Sequence, residues 1–283
     1  MTDSRSRSEH LSRWLLTALL LIAALLVVFR PLDNLGETYL DDAFKRAMLS
    51  FAVARGLNGV ISVAQGTEFA VQPAGVGINF APGEILDPVN DLVERFSWVM
   101  LVASSSLGAQ KVLLAISSWA GITLLLLLTT GLYLASVWWP ARTPLVQRSR
   151  VGRILVLFLV LRLAVPFSAL LSEWSYRTFL DAQYTQASQE LEAAADEIRS
   201  VNAEMPVAAQ DSENPGMTDR LRRLYESALS QIDFETKLER YKAAAGRISE
   251  NAVNMIVVYV LQTIVFPLGF FWLLVVLFRQ IAV

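Results

Sequence analysis

Arg162 lies inside an apolar run, residues 154–171, that is long enough to cross a bilayer. A charge near the middle of a membrane costs at least ~2.5 kcal/mol, so it marks either a function or a specific partner. None of the chain's four such runs contains a carboxylate. The counter-group is therefore expected among backbone carbonyls, hydroxyls, Gln262, a lipid phosphate reached by snorkelling, or a bound anion. Arg162 and Gln262 form the candidate intramembrane anion or lipid site, and the plainer reading is snorkelling or packing between subunits. Gln262 precedes Pro267-Leu268-Gly269 in the fourth run, 253–278. A proline there frees a carbonyl that the protein itself must satisfy. Counted from the cytoplasmic ends of their runs, Gly269 and Arg162 lie at depths of about 14 and 12 Å, so the glycine is expected to leave room for the guanidinium.

A second set of chemically capable residues is acidic. Glu84, Asp87, Asp91 and Glu94 surround a predicted helix start at Asp87-Pro88, with aspartate as N-cap and proline at the first helical position. From Asp87 onward the acids share one helix face, opposite Val89, Val93, Phe96 and Met100. Acids belong at a helix N-terminus, where the dipole favours them. The functional alternative is a cluster that attracts cations at the outer mouth of an oligomer. Ser104, Ser105 and Ser106 near Lys111 make the one conceivable serine-lysine dyad, although small residues ahead of Gly108 fit close helix packing or a re-entrant turn. Gly75-Val76-Gly77 reads as a turn, since no helix pattern follows it.

The chain has no cysteine, and its single histidine, His10, lies in a short polar tail. Disulfides, thiolate metal sites and Ser-His or Cys-His pairs within one chain are excluded, and no metal or cofactor is expected. A net charge of -2 gives no reason to expect nucleic acid as a partner.

The elements that position these residues are set by hydropathy. With 54% hydrophobic residues the chain belongs to the membrane class. The first run, 11–29, follows a basic tail, 1–10, and ends in Arg30-Pro31 without a small-residue cleavage pattern, so it reads as an uncleaved signal-anchor. The second span is expected at 119–139, because Trp119 and the Trp138-Trp139 pair are one membrane thickness apart. Residues 30–118 then form an outer helix from about 37 to 64, a Gly/Pro-rich loop, and an amphipathic segment on the outer leaflet. Residues 140–153 hold four arginines and no acid, a cytoplasmic signal, whereas 30–95 carry five basic and nine acidic side chains. If 96–114 were a separate span, the chain would cross five times and put the arginine loop outside.

Between the third and fourth spans, residues 172–252 carry nine basic and fifteen acidic side chains, and their apolar positions repeat at alternating spacings of four and three. Leu180, Tyr184, Ala187, Leu191, Ala194, Ile198 and Val201 form one stripe. Phe234, Leu238, Tyr241, Ala245, Ile248, Ala252 and Met255 form the other, so each helix has a coiled-coil seam. Helices over 172–203 and 218–252, roughly 48 and 53 Å long, fit an antiparallel hairpin. Centred near residue 211, it pairs Ala194 with Ala228, Ala187 with Phe234, Tyr184 with Leu238 and Leu180 with Tyr241. Local unwinding is expected between Ala228 and Phe234, where the spacing slips.

The expected fold is thus an all-α integral membrane protein. It has four transmembrane helices, both termini in the cytoplasm (tails 1–10 and 279–283), and a long extracytoplasmic helical hairpin between the third and fourth. A bacterial inner membrane is the expected location, with the lipid bilayer, further copies of the chain and an extracytoplasmic protein as partners. The expected function is non-enzymatic: an envelope scaffold, assembly factor or sensor. An oligomeric ion channel or transporter with Arg162, Gln262 and Pro267 near its path is the alternative.

Overall fold

The computed structural model describes the backbone of residues 3–65, 69–71, 78–80, 83–139, 145–203 and 217–282, and side chains within 11–65, 86–139, 149–203 and 236–277 together with residues 147 and 279. Eight α-helices are described: α1 (Asp3–Phe29), α2 (Pro31–Gln65), α3 (Gly83–Ser117), α4 (Ala120–Trp138), α5 (Leu145–Ser175), α6 (Asp181–Ala203), α7 (Met217–Val260) and α8 (Phe266–Ala282). Single π-helical turns, Tyr176–Leu180 and Leu261–Val265, join α5 to α6 and α7 to α8. Within the expected outer loop, β1 (Phe69–Val71) and β2 (Ile78–Phe80) form an antiparallel ribbon with Ala70 opposite Asn79. Apart from that ribbon, the described elements are helical.

Six helical stretches are long and apolar enough to cross a membrane: Leu11–Phe29, Pro31–Gln65, Leu86–Ser117, Ala120–Trp138, Ser149–Ala203 and Thr236–Leu277. The two beyond the expected four are α2 and α3, whose charges leave an apolar window of span length. Composition alone therefore does not separate an outer helix from a span here.

The chain divides into two compact units. The first comprises residues 1–45, 105–178 and 261–283. Leu20 and Val27 of α1, Leu126 of α4 and Leu155 of α5 make a core cluster, while Leu15, Leu19, Ile22 and Leu25 stay exposed, as lipid-facing side chains are. Arg30 separates α1 from α2 with a φ of 57°, the left-handed conformation that closes many helices. Its N–H donates to the Leu26 carbonyl and its own carbonyl accepts the Asn34 N–H, both at 3.1 Å. One residue thus ends α1 and starts α2, with Pro31 at the first helical position where a missing N–H costs nothing. Along this path Trp14 meets Trp138 edge-on at 4.8 Å, and a Cβ on Gly36 would stand 3.5–3.8 Å from Ala169, Leu114 and Pro166. From Trp14 to Gly36 the chain therefore advances from the C-terminal end of α4 toward α3, beside an α5 running the same way. Arg30 bends the path without reversing it.

The second unit comprises residues 46–104 and 179–260. Its core gathers Ala54, Leu57 and Ile61 of α2, Val93, Phe96 and Met100 of α3, Leu191 and Ile198 of α6, and Ile248, Met255 and Val258 of α7. Helix α3 starts at Gly83, not at Asp87, and Pro88 lies inside it. So near the helix start, proline removes a single intrahelical bond and is tolerated. The expected outer-leaflet face of α3, Val89, Val93, Phe96 and Met100, is buried in protein.

The apolar stripe expected on α6 and α7 is the buried one. Ala187, Leu191, Ala194, Ile198 and Val201 lie against α7, and Tyr241, Ala245, Ile248, Ala252 and Met255 are equally buried. The register differs from expectation: Tyr184 meets Tyr259 edge-on, three heptads beyond Leu238, and Tyr241 donates to the Asn202 Oδ1 instead of facing Leu180. A heptad pattern looks the same after a shift of whole heptads, so it fixes the faces and leaves the register open. Helix α7 also runs unbroken through residues 228–234, where unwinding was expected. That stretch contains neither glycine nor proline, and a slip in side-chain spacing leaves the backbone hydrogen bonds intact. The side chains of Ala228 and Phe234 lie outside the described residues.

Candidate functional site

The arginine of the third apolar run finds a carboxylate after all, in Asp33. Among the described residues Arg162 is the bulkiest fully buried side chain, 1% exposed, and Asp33 is 7% exposed. Nη1 of Arg162 donates to Asp33 Oδ1 at 2.8 Å, Nη2 donates to Asp33 Oδ2, and Nε donates to Thr123 Oγ1 at 3.3 Å. Two parallel N–H···O bonds of this kind are the strongest geometry available to an arginine-carboxylate pair. Asp33 stands in the first turn of α2, where the helix dipole also favours a negative charge.

The expected partners of Arg162 thus included the hydroxyl but missed the acid. Helix α5 begins at Leu145, not at 154, so Arg162 lies about 25 Å along it, far toward the end where α1 passes into α2. The one available signal was the position of Asp33, an acid only four residues beyond the first apolar run. Gly269 does not receive the guanidinium: nothing stands within 4 Å of where its Cβ would be.

Gln262 is also buried, and its Nε2 donates to the Tyr39 hydroxyl at 2.9 Å. The hydrogen bonds of Arg162 and Gln262 therefore go to different partners, Asp33 and Thr123 for the one and Tyr39 for the other. The proline-freed carbonyl is where it was expected. Pro267 cannot bond back to Thr263, whose carbonyl instead accepts from Ser106 Oγ at 3.3 Å and Gln110 Nε2 at 3.5 Å. The π turn just before α8 brings proline to that helix's first turn, where it fits.

Ser106 is thereby committed to a carbonyl, as is Ser104, which donates to Met100 O at 2.8 Å. Lys111 pairs with Asp41 at 2.5 Å and sits over the Phe44 ring. The serine-lysine dyad does not assemble from these groups. Of the outer acids, Asp87, Asp91 and Glu94 are exposed, and Asp87 accepts from Gln65 Nε2 at 2.7 Å. The side chain of Glu84 lies outside the described residues. Among the described residues, no three carboxylates, histidines or cysteines converge on a point that could hold a metal ion.

The second unit carries its own polar cluster on α6 and α7. Glu197 accepts from Arg240 Nε at 2.5 Å and approaches Arg247 Nη2 at 3.8 Å. Beside it, Gln183, Gln186, Glu190, Arg247, Asn251 and Asn254 line a polar groove of about 470 Å³. The Nε of Arg247 is buried and has no hydrogen-bond partner among the described residues. An open buried donor of this kind is uncommon and invites an acceptor from outside.

Burial pushes the Tyr241 phenol up to about 12 from its usual 10. A tyrosine whose folded pKa is raised holds its proton more tightly when folded. Its contribution is complete below pH 10 and is lost as the pH climbs from 10 to about 12. That loss is expected to be roughly 2–3 kcal/mol. Unfolding measured across this window should therefore show a steeper decline for the wild type than for Tyr241→Phe, and equal slopes would remove the argument.

Comparison of the chain with protein-family models, curated proteins and solved structures gives no match.

Proposed function

We propose that the chain is a non-enzymatic scaffold of a bacterial inner membrane, acting as an assembly factor or sensor. In this reading it crosses the membrane four times, keeps both termini in the cytoplasm, and presents α6 and α7 outside to a protein partner. The observation that carries the reading is the fate of the intramembrane polar groups. Arg162, Gln262 and the Thr263 carbonyl are each bonded within the chain, which suits a packed anchor better than a conducting path. Four crossings are supported by the course of the first unit, in which α1 leads into α2 without reversal while Gly36, Thr123 and Tyr133 meet successive levels of α5 and its neighbours. On the outer side, the Arg247 groove is the surface best suited to a polar partner. A second copy of the chain is supported by the face of α2 on which Leu49 and Val63 are exposed and a Cβ added at Gly56 or Gly59 would meet nothing within 4 Å.

Membrane-impermeant labelling of single introduced cysteines tests the topology. Glu68→Cys and Asp211→Cys should react from outside and Ser149→Cys should not. Protection of Glu68→Cys would favour six crossings, and labelling of Ser149→Cys would favour five. Proteoliposomes should stay electrically silent across voltage and tension; a conductance altered in Arg162→Leu would replace the scaffold with a channel. Blue-native electrophoresis in mild detergent should give an oligomer that Leu49→Arg disperses.

A further inference from the structure

We infer that the cytoplasmic end of the first unit binds one anionic phospholipid, its acyl chain in a tryptophan-walled slot and its head group at Arg13. The inference rests on the membrane placement proposed above. Trp14, Gly131, Leu134, Ala135, Trp138 and Trp139 line an apolar groove of about 610 Å³. On α4 the residues Gly131, Leu134, Ala135 and Trp138 fall on one helix face, and α1 supplies the opposite wall through Trp14. Gly131 gives the groove its depth, because nothing stands within 4 Å of the position its Cβ would take.

A slot of this kind would accept an acyl chain from any lipid, so selectivity must come from charge. Arg13 directly precedes Trp14 in α1, one helical position from the groove's α1 wall. Among the described residues at this end of the unit, the charged side chains are Arg13, Arg150, Arg153 and Arg279, all basic. Indole rings favour the head-group level, where they would hold the chain's first carbons while the guanidinium meets the phosphate. Basic side chains beside a cytoplasmic leaflet select anionic lipid over neutral lipid, and one such residue is worth roughly fivefold in binding.

Tryptophan quenching by lipids with brominated acyl chains tests this in vesicles of neutral phosphatidylcholine. Brominated phosphatidylglycerol should quench at a mole fraction roughly fivefold lower than brominated phosphatidylcholine. Arg13→Gln should lower that difference and Arg13→Lys should keep it. Gly131→Leu, which fills the slot without touching charge and raises helix propensity, should reduce the quenching attributable to the groove. Equal quenching by the two lipids, or a preference undiminished in Arg13→Gln, would overturn the site and leave the membrane placement standing. Quenching by neither lipid would overturn the membrane placement itself, and the site with it.

Discussion

Replacing Asp33 with alanine is expected to lower the stability of the first unit by about 3–5 kcal/mol, because the change strands a buried guanidinium without its counter-charge. Arg162 is almost wholly enclosed and cannot turn to water, and only the Thr123 hydroxyl remains as a described partner. Arginine also keeps its proton under any practical condition, so it cannot escape by becoming neutral. The pair itself need not add much net stability, since desolvating two charges offsets most of their attraction. Arg162→Leu combined with Asp33→Ala should therefore recover most of the loss, and that recovery separates a mutual pair from a general tolerance problem at either position. Thermal unfolding in a fixed detergent, run as a double-mutant cycle, reads the effect. If Asp33→Ala leaves unfolding unchanged, Arg162 is served by a lipid phosphate or a bound anion, and the packed-anchor reading loses its main support.

The route to that pair explains what could be read beforehand. Residue types alone marked Arg162 as needing a partner, and the proline rule marked the Thr263 carbonyl as needing a donor. Both needs are met within the chain. Who meets them was hidden, because Asp33, Ser106 and Gln110 reach their targets across 129, 157 and 153 residues of sequence, distances over which periodicity carries no information. The apolar faces of α6 and α7 were legible for the complementary reason: burial follows a local repeat. Their register was not, since whole-heptad shifts preserve the repeat and only specific pairs such as Tyr184 with Tyr259 and Tyr241 with Asn202 distinguish them.

Helix α3 posed the harder problem of what its apolar face touches. An acidic face opposite an apolar one fits a helix lying on a membrane as well as one packed in a bundle. Phe96 separates the two, being 0% exposed within the second unit, whereas Trp98, two residues on, is 68% exposed. Phe96→Ala is expected to cost about 3–5 kcal/mol, the sum of lost apolar burial and the cavity left among neighbours that relax only in part. Phe96→Leu retains most of the volume and should cost less than about 1.5 kcal/mol. Trp98→Ala, on the open face, should stay within about 0.5 kcal/mol. The comparison is made on stability with the protein held in one detergent. A helix lying on the leaflet by this face would remove the ranking, since Phe96→Ala would then weaken membrane association and leave unfolding almost unmoved. A large Phe96 effect beside a small Trp98 effect would make the buried face of α3 part of the folded core.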